Sequence, residues 1–328
     1  MEGKISELQK EQIEKSEYPV VGAKYNNEYK NLDEVVSSDG KIELIDINSK
    51  EGIKIYRRTL TYIMGKAFWH TYPEAHVIVN YQLSNAMYCD IENVEVTDEM
   101  IEKVKAKMQE IINQDLKIEK RVMTRDEAEK FYKETNSPKG RLQFDLEDRQ
   151  NINMYYCDEY YNYIYETIAT HTGATKVFDL QKYSKGFLLR YPSTKNVNEL
   201  PEFHETKKLL WALQEYETIY KVLNVGTVYR LNKAVKENTI KYLILLSEAL
   251  HEKKISQMAD KIAERKGVKM VLIAGPSSSG KTTFAQRLGI QLKINGLKPV
   301  TISVDNYFVE REDTPRNEKG EYDFESID

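Results

Sequence analysis

The residues best placed to do chemistry begin at Gly275. Gly275-Pro276-Ser277-Ser278-Ser279-Gly280-Lys281-Thr282 fits the pattern G-x-x-x-x-G-K-[ST]. In such a loop the glycines let the backbone curl, so that successive N–H groups point inward at phosphate oxygens. A helix predicted over Thr282–Leu292 adds roughly half a positive charge at its N-terminus. The pattern assigns Lys281 to the β- and γ-phosphates and the Thr282 hydroxyl to Mg²⁺, with Gly275 through Thr283 as the phosphate cradle. The expected ligand is a nucleoside triphosphate, ATP or GTP.

The flanks of the loop fit a parallel α/β unit. Lys269–Ala274 is a short apolar run of the kind that forms a strand buried on both faces. Gly296 and Pro299 turn the chain into a second predicted strand, Pro299–Val304, which ends in Asp305-Asn306-Tyr307-Phe308. Ligands of open parallel sheets bind beyond the carboxyl ends of the strands, which puts Asp305 near the γ-phosphate end of the loop. A carboxylate there can take the proton of an attacking alcohol, an effect worth about 10²–10⁴ in rate. It can instead hold Mg²⁺ through water, or simply cap a turn.

Composition narrows the partners. The chain has 328 residues, 41% hydrophobic and 30% charged, with a net charge of −4, which suits two or three ordinary domains. That acidic balance leaves no excess of cations for broad nucleic-acid binding, so no DNA partner is expected and RNA could be held only by a local patch. The sequence holds no apolar run long enough to span a bilayer and no apolar signal core near its start, which reads as cytoplasmic with no membrane partner. Two cysteines, Cys89 and Cys157, read as buried thiols, and five histidines show neither H-x-x-x-H nor H-E-x-x-H spacing.

Hydrophobic periodicity divides the chain. Residues 1–50 read as a small α+β unit, with a helix over 1–17, strands at 18–25 and 41–47, and a turn at Asp39-Gly40. Residues 51–225 read as a larger α+β domain. Its helix over 55–70 is followed by strands at 77–81 and 86–91. A helix capped by Thr97 comes next, and then a capping box, Thr124-Arg125-Asp126-Glu127, whose helix ends at Asn136–Gly140. Six tyrosines between Tyr155 and Tyr165 suit half-buried strand packing better than base stacking, since no basic residue is interleaved. Further strands are read at 175–180 and 186–191, and helices at 204–223 and 235–266. Residues 226–266 thus read as a connecting helix, and the P-loop unit occupies 267–328.

With these motifs in hand, VLIAGPSSSGKTTFAQRL at 271–288, ISVDNYF at 302–308 and GEYDF at 320–324 resemble the uridine kinase/phosphoribulokinase family. The resemblance implies ATP and Mg²⁺ as cofactors and a ribonucleoside 5′-hydroxyl as acceptor. It makes Asp305 the general base beside Lys281, with Tyr307, Tyr322 and Asp323 at the substrate. Residues 18–50 resemble the end of a TGS-type β-grasp module. Residues 55–225 resemble the additional, editing-type domain of threonyl-tRNA synthetase, through TYPEAH at 71–76, MYCDIE at 87–92 and the helix from Val96 with VMTRDEAEKF after it. The metal-capable histidines of that domain would fall near Arg58 and Tyr62 and near Cys157 and Tyr161. Here they are absent, so neither editing nor zinc binding carries over.

The fold expected is therefore α/β and α+β multidomain: a β-grasp-like remnant, a synthetase-type α+β domain, then the first part of a P-loop doubly wound parallel sheet. Residues Gly267 to Asp328 supply about two βαβ units, against about five strands for such a sheet, so the chain reads as cut off inside that domain. The function expected from the resemblance is an ATP-dependent nucleoside kinase. The alternative is a nucleotide- or RNA-recognition module carrying a non-catalytic partial P-loop domain.

Overall fold

The computed structural model describes residues 2–134 and 150–324, and the helix end read at Asn136–Gly140 lies outside them. Where the spacing predicts one helix over 1–17, β1 (Glu2–Lys4) leads into two short helices, α1 (Ile5–Leu8) and α2 (Lys10–Glu14). Then come β2 (Val20–Tyr25), β3 (Glu28–Lys30), β4 (Val35–Ser37) and β5 (Ile42–Asp46). Strands β3, β2 and β5 form one antiparallel sheet in that order, and β1 pairs with β4. Asn26 and Asn27 turn β2 into β3 with φ of 45° and 69°, a conformation that asparagine tolerates better than most side chains.

Helix α3 (Lys50–Thr71) organises the larger domain. Its start is fixed by Ser49, whose Oγ accepts from the Gly52 N–H at 3.0 Å. Gly52 permits a close approach there, since a Cβ would lie 1.8 Å from the Asp46 carbonyl oxygen. The apolar stripe of α3 (Ile55, Leu60, Ile63, Met64, Ala67 and Phe68) is at most 2% exposed. It packs in one cluster with residues of β6 (Val77–Leu83), β7 (Ala86–Ile91) and α4 (Asp98–Asn113). Thr97 caps α4 as expected, its Oγ1 accepting from the Met100 N–H at 3.2 Å.

Strand β8 (Glu119–Thr124) runs into α5 (Arg125–Glu134) through the capping box. Glu127 accepts from the Thr124 N–H at 2.8 Å, and the Thr124 hydroxyl accepts from the Glu127 N–H at 3.3 Å. Strands β9 (Asn151–Cys157) and β10 (Tyr160–Tyr163) join β8 in a second antiparallel sheet, order β10-β9-β8. Strands β11 (Asp179–Tyr183) and β12 (Gly186–Arg190) complete a four-stranded antiparallel sheet, order β11-β12-β7-β6. Helices α6 (Lys207–Val222) and α7 (Val228–Lys236) follow, and the first compact unit ends at Asn232.

The second unit, Lys233–Asp328, is simpler. The helix predicted over 235–266 is interrupted at Asn238, which takes φ 62°, so that α8 (Ile240–Glu264) begins afresh. Helix α9 (Lys281–Ile294) lies against α8 through Ile255, Ala259, Leu288 and Leu292.

Two expectations are corrected here. Neither 269–274 nor 299–304 forms a strand, and the doubly wound parallel sheet is not formed among the described residues. Leu272 is 85% exposed and Val300 83%. A parallel strand makes all its backbone hydrogen bonds to neighbouring strands and buries both faces under helices, so an apolar run without such neighbours stays open coil. The fold shown is thus a mixed α and β multidomain chain with several small antiparallel sheets.

Candidate functional site

In the second unit, Gly280 takes φ 83° and serves as N-cap of α9, while Ser278 takes φ 60° inside the loop. Lys281 Nζ donates to the carbonyls of Gly275 and Pro276, each at 2.8 Å, so the ammonium curls over the loop that precedes it. Thr282 and Thr283 are exposed on the first turn of α9. Asp305 and Tyr307 lie in an exposed 3-10 turn, Val304–Tyr307, and among the described residues no hydrogen bond or ion pair joins Asp305 to Lys281 or Thr282. Tyr322 pairs with Arg316 across a short bridge. The Arg316 guanidinium lies 4.1 Å from the Tyr322 ring centre and that of Arg311 5.4 Å, while the Asp323 N–H donates to the Pro315 carbonyl at 2.7 Å.

In the first unit, the positions Arg58, Tyr62, Cys157 and Tyr161 do not share one pocket. Tyr62 is buried, and its hydroxyl donates toward the carbonyls of Tyr155 at 3.2 Å and Tyr160 at 3.1 Å. One helical turn on, the fully buried Lys66 donates from Nζ to the carbonyls of Cys157 at 2.9 Å and Asp158 at 2.6 Å. Burial lowers the Lys66 pKa, opposed by Cys157 and by the Asp158 carboxylate 3.6 Å away. Burial also pushes the Cys157 thiol up, which disfavours a reactive thiolate. Tyr161 points elsewhere, to Arg121 and Phe131. Tyr62, Lys66 and Cys157 are thus committed to the core.

What stays open is a cleft of about 400 Å³ where β3 and α3 meet β8 and β9. Lys54 and Arg58 reach it from successive turns of α3, with Lys120 and Asn153 on the opposing strands. Arg58 Nη1 donates to the Thr167 carbonyl at 2.6 Å, and its other nitrogen pairs with Glu166. Two tyrosine rings stand at the rim, Tyr29 at 47% and Tyr165 at 70% exposure. Three cations line it, each with a carboxylate at hand: Lys54 pairs with Glu51 at 3.0 Å, Arg58 with Glu166, and Lys120 with Glu34 at 3.2 Å. The sequence carried only a faint signal for this site: Lys54 and Arg58 sit four apart and therefore on one helix face. The partners they meet come from segments about 100 residues away.

No family model matches the chain. It is 29% identical over 232 residues to the threonine–tRNA ligase of Clostridioides difficile, covering 70% of this chain and 32% of that protein. It is 29% identical over 164 residues to the threonine–tRNA ligase of Fusobacterium nucleatum, covering 49% of this chain and 26% of that one. Against the ligase of Clostridium tetani it is 33% identical over 137 residues. The chain spans between 26% and 32% of the length of the first two relatives. These relatives correct the expectation of a nucleoside kinase: they are ligases by name, not phosphotransferases, and they support the synthetase-like part of the resemblance rather than the uridine kinase/phosphoribulokinase part. Phosphoryl transfer to a nucleoside is therefore set aside. Among the described residues no helix is long and apolar enough to cross a membrane.

Proposed function

We propose that this chain is an RNA-recognition module that takes the unpaired end of an RNA into the cleft beside Arg58. The observation that carries this reading is the cleft itself: two exposed tyrosine rings at the rim of a site with three cations, on a frame with a packed core. Base–aromatic stacking contributes about 1–3 kcal/mol per base, and the cations can meet the accompanying phosphate. The relatives lend support, being named as ligases of tRNA.

Lys54, Arg58 and Lys120 each already pair with a carboxylate, so only one or two phosphates can be exchanged into the site. Single-strand binding loses about 0.7 in log K per unit of log salt for each phosphate neutralised. One or two phosphates therefore give a slope of about −0.7 to −1.4, far shallower than that of a protein that grips a long duplex. The test is fluorescence anisotropy with a labelled short single-stranded RNA, alone and annealed to its complement. Single strand should bind more tightly than duplex. Tyr165→Ala should cost about tenfold and Lys54→Gln about threefold, both positions being exposed enough to spare the fold. Equal binding of duplex and single strand, or no effect of Tyr165→Ala, overturns the reading.

A second site is supported by the Lys281 geometry. The curled loop with Gly280 left-handed, Lys281 Nζ above it and exposed threonines at the start of α9 fits the phosphates of a nucleoside triphosphate. Gly275 through Thr283 would hold ATP, with Thr282 positioned for Mg²⁺, which would neutralise phosphate charge. Calorimetry with ATP and Mg²⁺ should give heats that Lys281→Ala abolishes.

A further inference from the structure

A second cleft of about 410 Å³ adjoins the first and shares Lys120 and Asn153 with it. Its floor holds Asn31, whose side chain is 1% exposed. Asn31 Oδ1 accepts from the Asp33 N–H at 2.7 Å, which fixes the amide's orientation. Its Nδ2 is buried and has no acceptor among the described residues. A buried amide donor without a partner is costly, and most such groups in folded proteins are satisfied.

The charges around Asn31 are balanced and loosely held. Lys4 stands 3.8 Å and Lys117 3.7 Å from Asp33, and Lys120 stands 3.2 Å from Glu34. With Glu119 opposite Lys117 at 3.6 Å, three cations meet three carboxylates. Such a cleft has no net pull on an anion. It suits a neutral ligand edge rich in acceptors, such as a ribose hydroxyl or a base carbonyl, and its one shared cation, Lys120, sits at the junction with the first cleft.

Resting on the RNA reading above, we infer that the two clefts are successive nucleotide subsites. The terminal nucleotide occupies the cleft beside Arg58, the bridging phosphate meets Lys120, and the next nucleoside lies over Asn31, accepting from Nδ2. The 2′-hydroxyl of that nucleoside is one acceptor that RNA offers and DNA lacks. Recognition is thus of at least a dinucleotide.

The test compares the methyl ester of adenosine 5′-monophosphate with the ribodinucleotide ApA by calorimetry on the full chain. Both carry one singly charged phosphodiester, so their ratio isolates the second nucleoside. ApA should bind about tenfold more tightly. Asn31→Asp keeps the oxygen that holds the turn and removes the donor, and Val122→Trp fills the second cleft from an exposed position. In each variant the ratio should fall below about twofold. The inference is overturned if ApA gains nothing over the methyl ester in the parent, or if the gain survives Val122→Trp; methyl ester binding would then still leave the RNA reading standing. If neither ligand binds, the RNA reading itself has failed and takes the second subsite with it.

Discussion

The two units of this chain use similar apolar content with opposite results. In residues 2–232, α3 buries a whole stripe between two sheets, and its side chains are nearly all sequestered from water. In residues 233–324 the buried apolar cluster is four side chains between α8 and α9, while Met270, Leu272, Val300 and Ile302 lie between 66% and 85% exposed. The difference follows from where each element finds its hydrogen bonds. A helix closes them within itself, so α8 and α9 need only a narrow apolar seam. A strand borrows every one from a neighbour, and hydrophobicity alone cannot supply that neighbour.

The strongest way to probe this contrast is alkaline unfolding. Burial holds Tyr56, Tyr132, Tyr155 and Tyr160 protonated well above the ordinary tyrosine range, and pushes Tyr88 up to about 12. Their folded pKa values are raised, so the stability they contribute is intact below about pH 10 and is lost as pH climbs toward the folded values. Each such tyrosine costs up to about 1.4 kcal/mol per pH unit above that point. Urea melts at about pH 9 and pH 11 should show the first unit losing several kcal/mol, with tyrosinate absorbance rising together with unfolding. All of the tyrosines named lie in the first unit; a midpoint indifferent to pH over this range would mean that its tyrosines are not buried.

Core truncation comes next in size. Leu60→Ala, at a position 0% exposed, should cost about 2–5 kcal/mol. Thr97→Ala removes the α4 cap and should cost about 1 kcal/mol. Leu272→Ala should change stability by less than about 0.5 kcal/mol. Denaturant titration of the three variants measures the series. A large loss at Leu272 would show that the apolar run is packed after all, and the contrast between the units would disappear.

The sequence made local features plain. The Thr97 cap, the Thr124–Glu127 box, the strands read at 77–81 and 86–91 and the helix after Gly280 all form. The crowd of tyrosines at 155–165 also divides as strand packing would have it, with Tyr155 at 2% exposure and Tyr165, past the end of β10, at 70%. What was illegible depended on distant partners. The runs at 269–274 and 299–304 have strand composition without strand neighbours; the first cleft is assembled from β3, α3, β8 and β9, and the second from Lys4, the turn at 31–34, β8 and β9. Nothing in the local sequence around Asn31 reveals that Lys117 and Lys120 line the same cleft.

Helix α3 grips the chain at two points, at the end of β9 and past β10. Lys66 takes the carbonyls of Cys157 and Asp158, and Arg58 takes Thr167 and Glu166. Eight residues separate the two grips on the helix, about 12 Å of rigid rise. The polypeptide between them is thereby splinted before any ligand arrives. A wall already set in place surrenders little freedom on binding, so contacts made against it go almost undiminished into affinity. An inward-facing lysine thus does its service at a distance, as preorganisation of a cleft that it never touches.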